Sequence, residues 1–288
     1  MNHPEFKSHQ IGDFLVTVLN DGEMNVSLTL LSGIDEKSAE KIQADAGVIH
    51  SELIDINCYL IQGKGHTILV DSGTGGLNNA GGLLLKNLGQ LGVAPSDIDT
   101  ILITHAHPDH IGGLLAENGH PIYPNAKLYL HTFEAEYWQN DQAYDQATER
   151  GKRNFDLVRR TLNAYAKCID FFDENEVIEG IRPILLAGHT PGHTGFQIGS
   201  ARSSILIWGD IVHFPNIQLT NPSVSIAFDY DQNQAKITRE KLLQQVAEEK
   251  QLIAGMHIGK SGFAYIHSDE KTGGYKISYL EELHLTYG

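Results

Sequence analysis

Apolar residues recur along this chain with two different periods. IGDFLVTVLNDGEMNV alternates with period two, which predicts a strand, a turn at Asn20-Asp21-Gly22 and a second strand. DEKSAEKIQADAG has helical composition and stops at Gly47. INCYLIQGKGHTILVDSG places two apolar runs around Gly63-Lys64-Gly65 and predicts a hairpin. GLLLKNLGQLG predicts a short helix closed by Gly92, and IDTILIT and AKLYLH predict compact strands. From Thr132 to about Ala166 the pattern is helical, broken near Gly151, with Phe155, Val158, Leu162 and Tyr165 on one face. The later chain alternates in the same way. IRPILLAG and SSILIWGD predict strands, DQNQAKITREKLLQQVAEEK an amphipathic helix and QLIAGMH a short strand, and GYKISYLEELHL ends the chain. Strands and helices that alternate throughout predict a layered α/β protein. With no linker-like shift in composition, residues 1–288 read as a single domain of two similar halves.

Composition narrows the partners. Hydrophobic residues at 41% and charged residues at 20% suit a globular chain and argue against disorder. The 21 basic and 36 acidic residues leave a net charge of −15, which repels phosphate backbones, so nucleic acid and anionic membranes are not expected partners. The only cysteines, Cys58 and Cys168, form no disulfide framework and fit a reducing compartment. No apolar run approaches the roughly 20 residues that span a bilayer. The polar opening MNHPEFKSHQ resembles no signal segment, so a cytoplasmic setting is expected. The departure from average is histidine, with 15 copies of the commonest metal ligand.

Those histidines fall at strand ends. ILIT precedes His105-Ala106-His107-Pro108-Asp109-His110, and PILLAG precedes His189-Thr190-Pro191-Gly192-His193. ILIWG precedes Asp210, LIAGM precedes His257, and ILV precedes Asp71-Ser72-Gly73. Strand ends of a layered α/β protein gather at one edge, where ligand sites form. His105 and His107, two apart, point the same way in an extended segment. Pro108 suits the first position of a helix, and the chain turning there swings Asp109 and His110 towards a second point. One loop can thus serve two cations. Imidazole and carboxylate without thiolate suit Zn, and also Mn, Fe or Co.

HAHPDH, AGHTPGH, WGD and GMH, in that order, resemble the metallo-β-lactamase superfamily, over about Phe14 to His257. The resemblance implies an αββα four-layer sandwich: two mixed sheets face to face, helices outside, metals at one edge. It implies two divalent ions per chain. His105, His107 and His189 would hold one, and Asp109, His110 and His257 the other. Asp210 would bridge them, with Asp109 and Asp210 nearest the chemistry. Asp71 would shape the site from behind the ligands. His193, the second of the pair in AGHTPGH, reads as a residue behind the ligands or a packing residue, and His213, three residues beyond Asp210, reads as a loop or core residue or one that faces the substrate. His120, His131, His267 and His284 lack motif context and read as structural.

A bridged pair of metals lowers the pKa of a shared water and polarises the attacked oxygen, so no Ser or Cys nucleophile is needed. WGDIVHFP, NPSVSIAFDYDQNQA and AGMHIGKSGFAYI resemble the branch that contains methyl parathion hydrolase and quorum-quenching lactonases. Where the short lactonases carry a Tyr just after the bridging Asp, this chain has Ile211, Val212 and His213. The expected activity is hydrolysis of a small ester, lactone or phosphotriester. The alternatives are a thiolesterase of glyoxalase II type and a mono-iron dioxygenase, and a non-catalytic scaffold fits the filled ligand positions least. The branch tends to dimerise, so a homodimer is an open option.

Overall fold

The computed structural model describes residues 6–173, 175–200 and 203–280; His284 lies outside them. A seven-stranded sheet has the spatial order Ser8–Ile11, Phe14–Asn25, Leu53–Gly63, His66–Val70, Thr100–Leu102, Lys127–His131 and Ile169–Phe172. Its first four strands are antiparallel and its last four run parallel. A six-stranded sheet runs Gly274–Tyr279, Phe263–Asp269, Leu252–Ala254, Ser203–Ile207, Thr194–Ser200 and Ile181–Leu185. It is antiparallel except between Ser203–Ile207 and Leu252–Ala254. Both sheets are therefore mixed.

Period-two alternation builds the layers. Val16, Val18, Ile61, Ile68 and Val70 of the first sheet pack against Phe196, Ile198, Ile205, Ile207 and Phe263 of the second. The next residues along point outward. Leu60, Leu69 and Ile101 meet Leu88, Trp138, Phe155 and Val158 from helices. Leu206, Ile253 and Ile266 meet Leu242, Leu243 and Val246 of the helix Gln232–Glu249. The result is the expected αββα arrangement. Among the described residues, no helix is long and apolar enough to cross a membrane.

One local expectation fails and another is refined. Asn20-Asp21-Gly22 is not a turn: Phe14–Asn25 is one strand, paired along its length with Leu53–Gly63, with a register shift between Asn20 and Gly22. The bulge re-aims Asp21 into the protein, and Gly22, at φ +123°, takes up the distortion. The buried Asp21 carboxylate accepts from the Thr74, Gly82 and Leu84 amides at 2.9, 3.0 and 2.8 Å. It thereby fixes the loop that follows Asp71. The helical stretch after Thr132 breaks near Gly151, as expected, and a second time at Asn140. It divides into Thr132–Gln139, Asp141–Gln146 and Glu149–Ala164. The side chains of Asn140 and Thr148 cap the two later helices through the amides of Ala143 and Gly151.

Candidate metal centre

The strand Thr100–Leu102 ends three residues before His105 and leaves the next segment extended. A single helical turn, Pro108–Ile111, then starts with proline at its first position and His107 before it. This change of backbone direction separates the four polar residues into two groups. His105 Nε2 lies 3.0 Å from His107 Nδ1, which lies 3.0 Å from His189 Nε2. Asp109, His110, Asp210 and His257 form the other group. In each, the potential ligand atoms lie within 4.8 Å of one another. Asp210 Oδ2 stands between them, 3.7 and 3.4 Å from the Nε2 atoms of His105 and His189, and 3.3 and 3.2 Å from those of His110 and His257.

The unused ring nitrogens are occupied. His110 Nδ1 lies 2.7 Å from Asp71 Oδ2, His189 Nδ1 2.8 Å from Asp229 Oδ1, and His257 Nδ1 2.7 Å from the Asp55 carbonyl. Each partner is an acceptor, so each Nδ1 donates to it and Nε2 is the nitrogen turned towards the centre, open to a metal once it has lost any proton. Asp71 also accepts from the amide and hydroxyl of Thr104. At φ +59° its backbone lies in the left-handed region, a strained position held by these bonds.

The remaining histidines named from the sequence take different places. His193 Nδ1 donates to the Leu186 carbonyl at 2.9 Å, and its Nε2 accepts from the Asp210 amide at 2.9 Å. With both nitrogens on backbone it steadies Asp210 and has no lone pair to offer. His213 Nε2 lies 3.2 Å from Asp210 Oδ2 and its ring stacks on His257 at 5.2 Å. It forms a further potential ligand group with His189 and Asp210. His131 is buried and accepts from the Phe133 amide, capping a helix. His120 is exposed and His267 half-buried.

Charge in the cleft is polarised. Burial, with His110 next to it, holds His105 well below the usual imidazole range, and burial with His189 does the same to His107. Burial works against charge on Asp210, yet His110, His257 and His105 outweigh it and keep that carboxyl well below its ordinary range. Against burial, Asp210 and Asp229 push His189 up to about 9, and Asp210 and Asp109 push His257 up to about 10. Burial and the neighbouring His189 push His193 down to about 3. The nitrogen and oxygen donor set, with no thiolate, fits divalent cations. Buried His110 Nε2 and Asp210 Oδ1, which have no hydrogen-bond partner, add to that fit.

Sequence reasoning misses Asp229, Thr104, Asp21 and Glu134. Asp229 lies inside FDYD, within a segment that carries the family likeness, but nothing in its spacing points to His189. Glu134 lies in an ordinary helical stretch and carries no signal at all.

Comparison with known proteins identifies the family. The family model described as Metallo-beta-lactamase superfamily matches residues 52–257. An N-acyl homoserine lactonase of Bacillus sp is 25% identical over 224 residues, 70% of this chain and 81% of that protein. The Bacillus subtilis protein YobT is 28% identical over 55% of this chain, which spans 62% of YobT. Among solved structures, AidC, a dizinc quorum-quenching lactonase in complex with a product, superposes with a TM-score of 0.87. It is 26% identical, and the match covers 95% of this chain and 96% of AidC. AbOPH, a hydrolase in the beta lactamase superfamily, has a TM-score of 0.86 and 29% identity over 94% of this chain and 96% of its own. The chain belongs to the metallo-β-lactamase superfamily.

Proposed function

We propose that this chain, a metal-dependent hydrolase by its superfamily, holds two divalent ions and opens a lactone or related small ester. His105, His107 and His189 would hold one ion, Asp109, His110 and His257 the other, with Asp210 shared. The observation that carries the reading is the place of Asp210 Oδ2, within 3.7 Å of imidazole nitrogens from both groups. Zinc is the first choice for this donor set, with Mn, Fe and Co as alternatives. Bound ions would supply an activated water and polarise the attacked oxygen. The chain's own part is to aim its lone pairs: Asp71, Asp229 and the Asp55 carbonyl fix the histidine rings, and His193 fixes the Asp210 backbone. The lactone preference rests on the likeness to AidC and the Bacillus lactonase.

The test is a substrate panel on protein of measured zinc content: N-acyl homoserine lactones, aryl esters, phosphotriesters, S-lactoylglutathione and a cephalosporin. A lactone should give the highest kcat/KM. A ranking led by S-lactoylglutathione or a phosphotriester would displace the lactone, and inactivity of dizinc protein on the whole panel would overturn the hydrolase reading.

Zinc uptake should also depend on pH. Without metal, His189 and His257 are raised to about 9 and about 10, so both carry a proton at neutral pH. Those protons must leave before Nε2 can bind metal. Zinc affinity should therefore strengthen as pH rises from 6 to 9, with protons released on binding. Calorimetry in buffers of different ionisation enthalpy measures both, and an affinity flat over that range would contradict the assignment.

A further inference from the structure

Several buried carboxylates stand outside the ligand groups, and one of them joins two ligand loops. Glu134, on the helix Thr132–Gln139, is fully buried. Its Oε1 accepts from the Ala106 amide at 2.9 Å and from the Trp138 indole at 2.7 Å. Its Oε2 accepts from the Thr190 hydroxyl at 2.6 Å and the Gly192 amide at 3.0 Å. Burying such a group is costly unless its hydrogen-bonding capacity is met, and here four donors meet it. Their positions are informative. Ala106 stands between His105 and His107, and Thr190 follows His189. The approach is also close: a Cβ at Gly192 would collide with the Glu134 amide nitrogen. Of these four bonds, none reaches Asp109, His110 or His257.

We propose that Glu134 is a positioning residue for one metal only, tying the His105–His107 loop to the His189 loop so that three imidazoles converge. The inference rests on the dinuclear reading above. Trp138 adds a second restraint, since its ring lies 5.9 Å from that of His107 while its indole holds Glu134.

The test is stepwise cobalt(II) titration of metal-free protein, followed by visible absorption and chelator competition. His107→Ala and His257→Ala identify which band belongs to which ion. In Glu134→Gln the new amide must point its N–H groups at donors on one side of the junction. Cobalt affinity should fall about 10- to 100-fold at the site that His107→Ala abolishes, as for partners of metal-bound histidines elsewhere. The His257-dependent site should stay within a few-fold of wild type. Thr190→Val, nearly isosteric, removes one of the four bonds and should weaken the same site more mildly. It carries the test if the glutamine variant does not fold. Equal weakening of both sites, or no change in folded variants, would make Glu134 merely structural and overturn the inference. Wild-type protein that binds no cobalt, or one equivalent, would overturn the dinuclear reading and this inference with it.

Discussion

Asp210→Asn should lower kcat/KM by about three orders of magnitude, since several kcal/mol of metal-borne transition-state stabilisation is at stake and each 1.36 kcal/mol is a factor of ten. Asp210 Oδ2 is the atom within reach of both histidine groups. An amide oxygen at that place keeps the shape and loses the charge. Metal analysis should find both ions held less tightly, not one, while circular dichroism stays native. His193→Ala is the companion measurement. Its ring touches the Asp210 amide and the Leu186 carbonyl, so it should retain metal and lose about 10- to 100-fold in activity. His189→Ala should strip metal. If His193→Ala strips metal as thoroughly as His189→Ala, the ligand within AGHTPGH has been misassigned.

The largest expected loss of stability lies outside the centre. Arg239 is buried in the helix Gln232–Glu249. Its guanidinium donates to the carbonyls of Pro222, Ile211 and Val224 at 3.0, 3.1 and 2.8 Å. These carbonyls belong to the segment between Asp210 and Asp229, which also bears His213. Arg239→Met keeps much of the volume but removes three hydrogen bonds, leaving the Ile211 carbonyl without this donor and the Val224 carbonyl with only its Gln218 bond, and should cost about 3–5 kcal/mol. Urea unfolding of metal-free protein measures it. Arg239→Lys should recover little, because one ammonium cannot reproduce the planar fork that meets three carbonyls. A loss below about 1 kcal/mol would mean that water takes over these bonds.

The elements easiest to read from sequence are those with strong periodicity. The hairpin at Gly63-Lys64-Gly65, the Gly47 and Gly92 helix stops and the helix after Asp231 all lie where alternation or capping predicts them. Thr194–Ser200 does not read as a strand, because glycine and polar residues interrupt its apolar pattern; sheet neighbours decide it instead. Asp21 shows why a local signal misleads. Asn-Asp-Gly reads as a turn from composition, yet the carboxylate is satisfied by amides more than fifty residues away. The site follows the same division. Residues in HAHPDH and AGHTPGH declare themselves by spacing within one short loop. Asp229 and Glu134 act across 40 and 56 residues, on His189 and Thr190, and only the packed structure brings them there.

In both large sheets the strands lie side by side in the order in which they occur along the chain. Each sheet can therefore form from strands that are successive in sequence, through tight hairpins such as that before His66 and longer crossovers such as that between Ile207 and Leu252. The histidine and aspartate donors do not share that locality. His105, His107, Asp109 and His110 follow a strand of the first sheet, whereas His189, Asp210 and His257 follow strands of the second. The metal centre is consequently a product of docking, complete only after the two sheets have closed on each other. Zinc in a refolding mixture would leave the nucleation rate untouched and act afterwards as a latch, slowing the reopening of a molecule whose sheets had already met.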